Sequence, residues 1–248
     1  MSEPLHIGEI FSSIQGEGLL AGRRQIFVRL TDCNLNCSYC DTSYDKGAVC
    51  HVETEPGSNT FRQLPQPLAL ETCREILTAW TAKLPGAHHS VSITGGEPLL
   101  AAAVLSDWLA ALHDVLPLHL ETNGTLPAAL EQVIRHIDYV SMDIKLPSTS
   151  GCEGLWDLHR RFLQVSLGKT VTVKVVVSER SSVEEIERVC GIITSLDPAV
   201  PLFLQPLTLA GGEVGITAVH LLHLQETAAS RLPDVRVIPQ MHKLLGVM

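Results

Sequence analysis

Six times along the chain, a short run rich in β-branched and aliphatic residues is followed by a stretch of helical periodicity. The runs are QIFVRL (25–30), SVSIT (90–94), LHLET (118–122), YVSMDIK (139–145), TVTVKVVV (170–177) and PLFLQPL (201–207), with VRVIP (235–239) as a last strand. The helical stretches span 70–84, 101–116, 127–137, 155–167, 182–196 and 216–232. In the helix over 182–196, Ser182 and Glu185 have capping-box spacing. Near-continuously apolar strands belong in a sheet covered on both faces, which means parallel strands joined by right-handed crossovers. The expected fold is therefore α/β, a partial (β/α)6 barrel, since a closed barrel of this kind takes eight strands; a doubly wound open sheet is the alternative. In both, ligands bind at the carboxyl ends of the strands.

The polar motifs fall at those ends. TDCNLNCSYCDT (31–42), TGGEP (94–98), ETNGT (121–125), SMDIK (141–145) and LQP (204–206) each sit at or just past the end of an expected strand. The rhythm alone gathers five polar motifs around one mouth. Only 44–69 breaks it: this Gly- and Pro-rich segment has no helical period and reads as an irregular insert, a functional cover or a small hairpin. No repeat or linker demands a second domain, so residues 1–248 read as one domain.

Composition narrows the partners. With 45% hydrophobic residues in 248, a large core is available. A net charge of −9 argues against nucleic acid as the main partner, because phosphate binding needs a basic surface. No apolar run approaches the roughly 18 residues of a spanning helix, and MSEPLHIGEI lacks the marks of a signal peptide. The expectation is a cytoplasmic protein acting on a small molecule, without membrane attachment.

Three of the seven cysteines, Cys33, Cys37 and Cys40, lie within eight residues with C-x3-C-x2-C spacing. Crowded thiols suggest a reducing compartment and metal binding. Thiolates are soft ligands for zinc or for iron–sulfur iron, and three of them on a cubane cluster leave one iron open to a small molecule. In the alternative, Cys50 or His51 completes a four-ligand zinc site, and the chain is a zinc-stabilised binding module. Cys73, Cys152 and Cys190 read as small buried apolar residues, Cys50 less firmly so.

This loop resembles the signature of radical S-adenosylmethionine enzymes, and TGGEP resembles their glycine-glycine-glutamate-proline motif. EIFSSIQGEG (9–18), CDT (40–42) and QMHK (240–243) further resemble the 7-carboxy-7-deazaguanine synthase family. The resemblance runs from Glu9 to Lys243 and implies a complete set of expectations. Cys33, Cys37 and Cys40 hold a [4Fe–4S] cluster. S-adenosylmethionine binds at Tyr39, Cys40, Asp41, Gly96, Glu97, Ser141, Asp143 and Lys145. The substrate set is Ile14, Gln15, Gly16, Glu17, Arg29, Thr94, Gln240 and His242; no side chain acts as catalyst itself, the radical coming from the cofactor. Thr42 is the Mg2+ ligand. The implied reaction is the ring contraction of 6-carboxy-5,6,7,8-tetrahydropterin to 7-carboxy-7-deazaguanine, with loss of ammonia, on the route to queuosine and related 7-deazapurines. A homodimer and an electron donor such as flavodoxin or ferredoxin are also implied. The loop and GGEP equally fit a radical activase acting on a partner protein, while QGEG and Arg29 favour a small substrate.

Overall fold

A computed structural model describes residues 2–40 and 47–248. Its strands are β1 (Ile7–Ile14), β2 (Arg24–Leu30), β3 (Val49–Glu53), β4 (Phe61–Pro65), β5 (Ser90–Gly95), β6 (Leu118–Thr122), β7 (Tyr139–Asp143), β8 (Thr170–Val177), β9 (Leu202–Pro206) and β10 (Val235–Val237). The helices are α1 (Leu70–Lys83), α2 (Ala102–His113), α3 (Pro127–Val133), α4 (Pro147–Ser150), α5 (Trp156–Ser166), α6 (Val183–Leu196), α7 (Ala218–Ala229) and α8 (Met241–Leu245). All ten strands form one sheet in the order β10-β9-β8-β7-β6-β5-β2-β1-β3-β4.

From β2 through β5 to β10 every neighbouring pair is parallel, as the apolar runs require. No pairing joins β10 to β4 among the described residues, so the sheet curls without closing by hydrogen bonds. Alternation sets the two faces. In β8, Val171, Val173, Val175 and Val177 are buried towards the helices, while Thr172, Lys174 and Val176 line the opposite, concave side. The helix side of the core adds Leu77, Leu105, Leu109, Leu130, Phe162, Ile186 and Ile193, all at most 1% exposed. Burying each such side chain contributes about 1.5–3 kcal/mol. Both halves of the Ser182–Glu185 capping box form at the start of α6.

Two features depart from the expected rhythm. Residues 7–14 form a strand antiparallel to β2, although the motif there carries no clean alternation; its register shifts between Ile7 and Glu9. Within 44–69, β3 and β4 pair as an antiparallel hairpin that extends the sheet beyond β1. Five-residue strands of mixed polarity give little sequence signal. A buried carboxylate organises them instead: Glu53 accepts from the backbone N–H groups of Ser12 (2.9 Å), Gly57 (2.8 Å) and Asn59 (2.6 Å). No helix among the described residues is long and apolar enough to cross a membrane.

Candidate active site

The strand ends open onto a cavity of about 730 Å³. Cys33, Cys37 and Cys40 line it, on the loop that leaves β2. Close backbone packing fastens that loop. A Cβ on Gly96 would sit 1.9 Å from the Asp32 carbonyl oxygen, and Gly95 has φ +137°, so glycine is needed where β5 ends. The adjacent Glu97 N–H donates to the Asp32 carbonyl at 2.8 Å. Farther along, the Ser38 N–H and hydroxyl donate to the carbonyls of Ser150 (2.9 Å) and Thr149 (2.7 Å).

The three thiols ring a space. Among the described residues no group of three His, Cys, Asp or Glu side chains is placed to hold a single metal ion. Cys50 does not complete the set: it is buried in the core on β3, away from the cavity lining, because its strand position faces the helices. His51 faces the other way and reaches the cavity wall. Cys73 and Cys190 are core residues as expected, but Cys152 is not. Its Sγ lies 3.9 Å from Cys37 Sγ, because the Ser38 contacts carry the 150–152 turn against the loop.

Glu97, one of the residues expected on the S-adenosylmethionine side, turns its side chain away from the cavity. It is 1% exposed and absent from the cavity wall. Its oxygens accept from the Thr122 hydroxyl (2.9 Å), the Asn123 N–H (2.8 Å) and the Leu99 N–H (3.0 Å). Burial pushes its carboxyl up to about 7, against the opposing pull of these donors. The side chain ties the ends of β5 and β6 together, leaving Gly95 and Gly96 to present backbone to the cavity.

From the end of β7 across β8 to the segment after β1, four charges alternate. Lys145 donates to Asp143 Oδ2 (2.8 Å) and to the Tyr39 hydroxyl (3.1 Å). Lys174 lies 3.3 Å from the same Asp143 oxygen and donates to Glu17 Oε2 at 2.5 Å. Asp143 Oδ1 is buried with no hydrogen-bond partner among the described residues. An orphaned acceptor on a cavity wall fits a ligand hydroxyl or amino group. Together with three soft thiols and exposed glycine backbone, it fits a [4Fe–4S] cluster with S-adenosylmethionine. Ser141, on the same wall, bonds to His119 Nε2 at 2.8 Å.

Across the cavity, the QGEG and QMHK motifs meet. Gln240 Nε2 donates to Glu17 Oε1 (2.9 Å) across 223 residues of sequence, and Gln205 Nε2 adds a second bond to that oxygen (3.2 Å). The Met241 N–H donates to the Gly16 carbonyl (3.0 Å). A Cβ on Gly16 would lie 2.0 Å from His242 Nδ1, so only glycine lets α8 dock there. Burial alone would raise the Glu17 carboxyl. The Lys174 charge and hydrogen bond, the Gln240 bond and the His242 charge outweigh it, holding Glu17 down at about 2.

Of the remaining expected residues, Ile14, Gln15, Arg29 and Thr94 all line the cavity. Gln15 is heavily committed: it donates to Gln25 and Glu121 (both 3.0 Å) and accepts from the Glu17 N–H (3.0 Å). Arg29 is neither unpaired nor deeply buried, for its Nε donates to Glu9 at 2.9 Å and its guanidinium lies over Phe11. Asp41 and Thr42 lie outside the described residues. Lys174 and Met248 line the cavity without having been singled out, and Glu121 and Gln205, noted only within ETNGT and LQP, line it without having been given a role. For Lys174 a signal existed, a single charge inside TVTVKVVV.

The family model described as the radical SAM superfamily matches residues 28–166. The chain belongs to the radical SAM superfamily. Within it, a protein of Geobacter sulfurreducens named 7-carboxy-7-deazaguanine synthase is 46% identical over 248 residues, covering 99% of each chain. A namesake from Methanothermobacter thermautotrophicus is 36% identical, covering 97% of each. More narrowly, then, the chain is a member of the 7-carboxy-7-deazaguanine synthase family. The crystal structure of QueE from Escherichia coli has a similar fold, with TM-score 0.57 at 21% identity over 97% of this chain and 94% of that one.

Proposed function

We propose that the chain is a radical S-adenosylmethionine carbon–nitrogen lyase, a 7-carboxy-7-deazaguanine synthase. It contracts the ring of 6-carboxy-5,6,7,8-tetrahydropterin to 7-carboxy-7-deazaguanine with loss of ammonia, in queuosine and 7-deazapurine biosynthesis. The observation that carries this reading is end-to-end kinship with proteins of that name, including a 46% identical relative aligned over 99% of both chains. Cys33, Cys37 and Cys40 are the cluster ligands. Tyr39, Gly96, Ser141, Asp143 and Lys145 surround the S-adenosylmethionine side, with Asp41 beside them in sequence. When bound, cluster and cofactor supply one-electron chemistry that removes a hydrogen atom from the substrate.

This chain's own residues bind, orient and exclude water. Glu17, ionised and mostly buried, offers acceptors to the donor-rich ring edge of a pterin. Arg29 shares its guanidinium between Glu9 and the cavity and provides a fork for the substrate carboxylate. Ile14, Gly16 and the docked His242 close the wall, while Gln15, Gln240 and Thr94 add polar contacts. Rigid enclosure of this kind confines a reactive species to its target.

Thr42 is the Mg2+ ligand in this reading, beside the substrate carboxylate and water. The chain works as a single domain, as a cytoplasmic homodimer, with flavodoxin or ferredoxin as donor. The deciding experiment is an anaerobic assay of reconstituted protein with the pterin, S-adenosylmethionine, Mg2+ and reductant, read by mass spectrometry. The deazaguanine acid is the expected product; a competent cluster with no such product refutes the activity. Thr42→Ala weakens the Mg2+ response and leaves the cluster intact, and an unchanged response removes Thr42 from that role.

A further inference from the structure

Lys174 stands between the two ligand sides of the cavity. Its ammonium meets Glu17 Oε2 at 2.5 Å and Asp143 Oδ2 at 3.3 Å, and its side chain is 15% exposed. It projects from the middle of β8, where Val173 and Val175 on either side point into the core and hold the backbone in place. A lysine here costs desolvation that an apolar residue would avoid, so its charge must be offset by the groups it faces. Those groups are Glu17 and Asp143, with the like charge of Lys145 nearby.

We propose that Lys174 is a positioning residue for the pterin, holding the Glu17 carboxylate aimed into the cavity to accept from the substrate ring. This rests on the activity proposed above. The distances make its two contacts unequal. Asp143 keeps Lys145 at 2.8 Å when Lys174 is lost, whereas Glu17, among the described residues, retains the neutral amides of Gln205 and Gln240 on its other oxygen and the charge of His242 nearby. Removal of Lys174 therefore falls on the substrate side more than on the cofactor side. It also frees Glu17 to take a proton at a pH where the paired carboxylate stays ionised.

The test compares cluster-loaded wild type, Lys174→Met, Lys174→Arg, Glu17→Gln and the Glu17→Gln/Lys174→Met double variant. Anaerobic measurements give kcat, KM for the pterin, and dissociation constants for the pterin and for S-adenosylmethionine. Lys174→Met is expected to raise the pterin KM and dissociation constant at least tenfold. S-adenosylmethionine affinity stays within threefold, and the acid limb of kcat/KM moves up by at least one pH unit. Lys174→Arg restores most of the loss, and adding Lys174→Met to Glu17→Gln costs less than twofold more. Pterin binding within twofold of wild type in Lys174→Met overturns the inference. So does a full tenfold further loss on the Glu17→Gln background. If Lys174→Met does not fold, Lys174→Gln takes its place; a fall in thermal midpoint with equal loss of both ligands in every Lys174 variant, Arg included, also overturns it. Failure of the wild type to bind the pterin refutes the activity reading, and this inference with it; failure confined to the Lys174 predictions refutes the inference alone.

Discussion

On the cysteine-loop side of the cavity, strand-end segments are fastened directly to one another by hydrogen bonds: Glu97 to Asn123 and Thr122, Asn123 to Asn34, Ser38 to Thr149. On the opposite side the wall is assembled from distant pieces, Gln15 to Glu17, Lys174, Gln205 and Gln240 to His242, which meet around one carboxylate. The superfamily match at 28–166 contains the first side and, apart from Arg29 and Thr94, omits the second. In the proposed function, a general reaction is thus held by a compact set of loops, and the choice of substrate by residues outside that block. Changing the second side should alter recognition while the first stays intact.

The largest expected effect comes from breaking the first side. Cys37→Ala should abolish product formation and the cluster's visible absorbance together; retained absorbance at full iron and sulfide content would remove Cys37 from the ligand set. Next, Glu17→Gln should raise the pterin KM by about 100-fold, the scale of losing a charge-assisted hydrogen bond at a buried site, with iron and sulfide content unchanged. A matching loss of cluster would show that the two sides are not separable. Glu17 also predicts a pH dependence. Its folded-state pKa is about 2, below the ordinary carboxylate value, so its stabilising contribution is present above about pH 4.5 and is lost as pH falls towards 2. The stability difference between wild type and Glu17→Gln, from unfolding monitored by circular dichroism, should be constant above about pH 4.5 and shrink only within that window.

A smaller effect follows from Gly16→Ala. The new methyl would collide with His242, lift α8 and raise the pterin KM by about tenfold, while S-adenosylmethionine affinity holds. The smallest should come from Cys152→Ser, which removes the thiol beside Cys37 but no contact on the Glu17 side. Rate and cluster content within twofold of wild type are expected, and loss of cluster would make Cys152 a ligand.

The parallel strands were legible because TVTVKVVV and its counterparts have few other ways to bury their side chains. Helix boundaries such as the Ser182–Glu185 start of α6 were legible because capping is local. The cysteine loop and GGEP could be read for the same reason: their chemistry lies in a few consecutive residues. What escaped depends on long-range geometry. A small hairpin was one reading of 44–69, but the β3–β4 pairing owes its order to Glu53 reaching β1, and nothing in VCHVE announces that. Glu97 was expected on the cofactor side by its place in the motif, which does not say which way its carboxylate turns. Cys152 looked like a core residue because its nearness to Cys37 arises from a turn docked by Ser38. Lys174 was overlooked although Arg29, a similar charge in an apolar strand, was noticed.

The row of Lys145, Asp143, Lys174 and Glu17 contributes two positive and two negative charges, and so no net charge. Alternating charges at this spacing produce a strong field within the cavity and almost none a few ångströms outside it. An approaching carboxylate substrate meets instead the −9 of the whole chain. Encounter is therefore opposed at long range and favoured only on entry. Added salt screens the repulsion more than the enclosed contacts, so the association rate should rise with ionic strength, the reverse of an electrostatically steered enzyme.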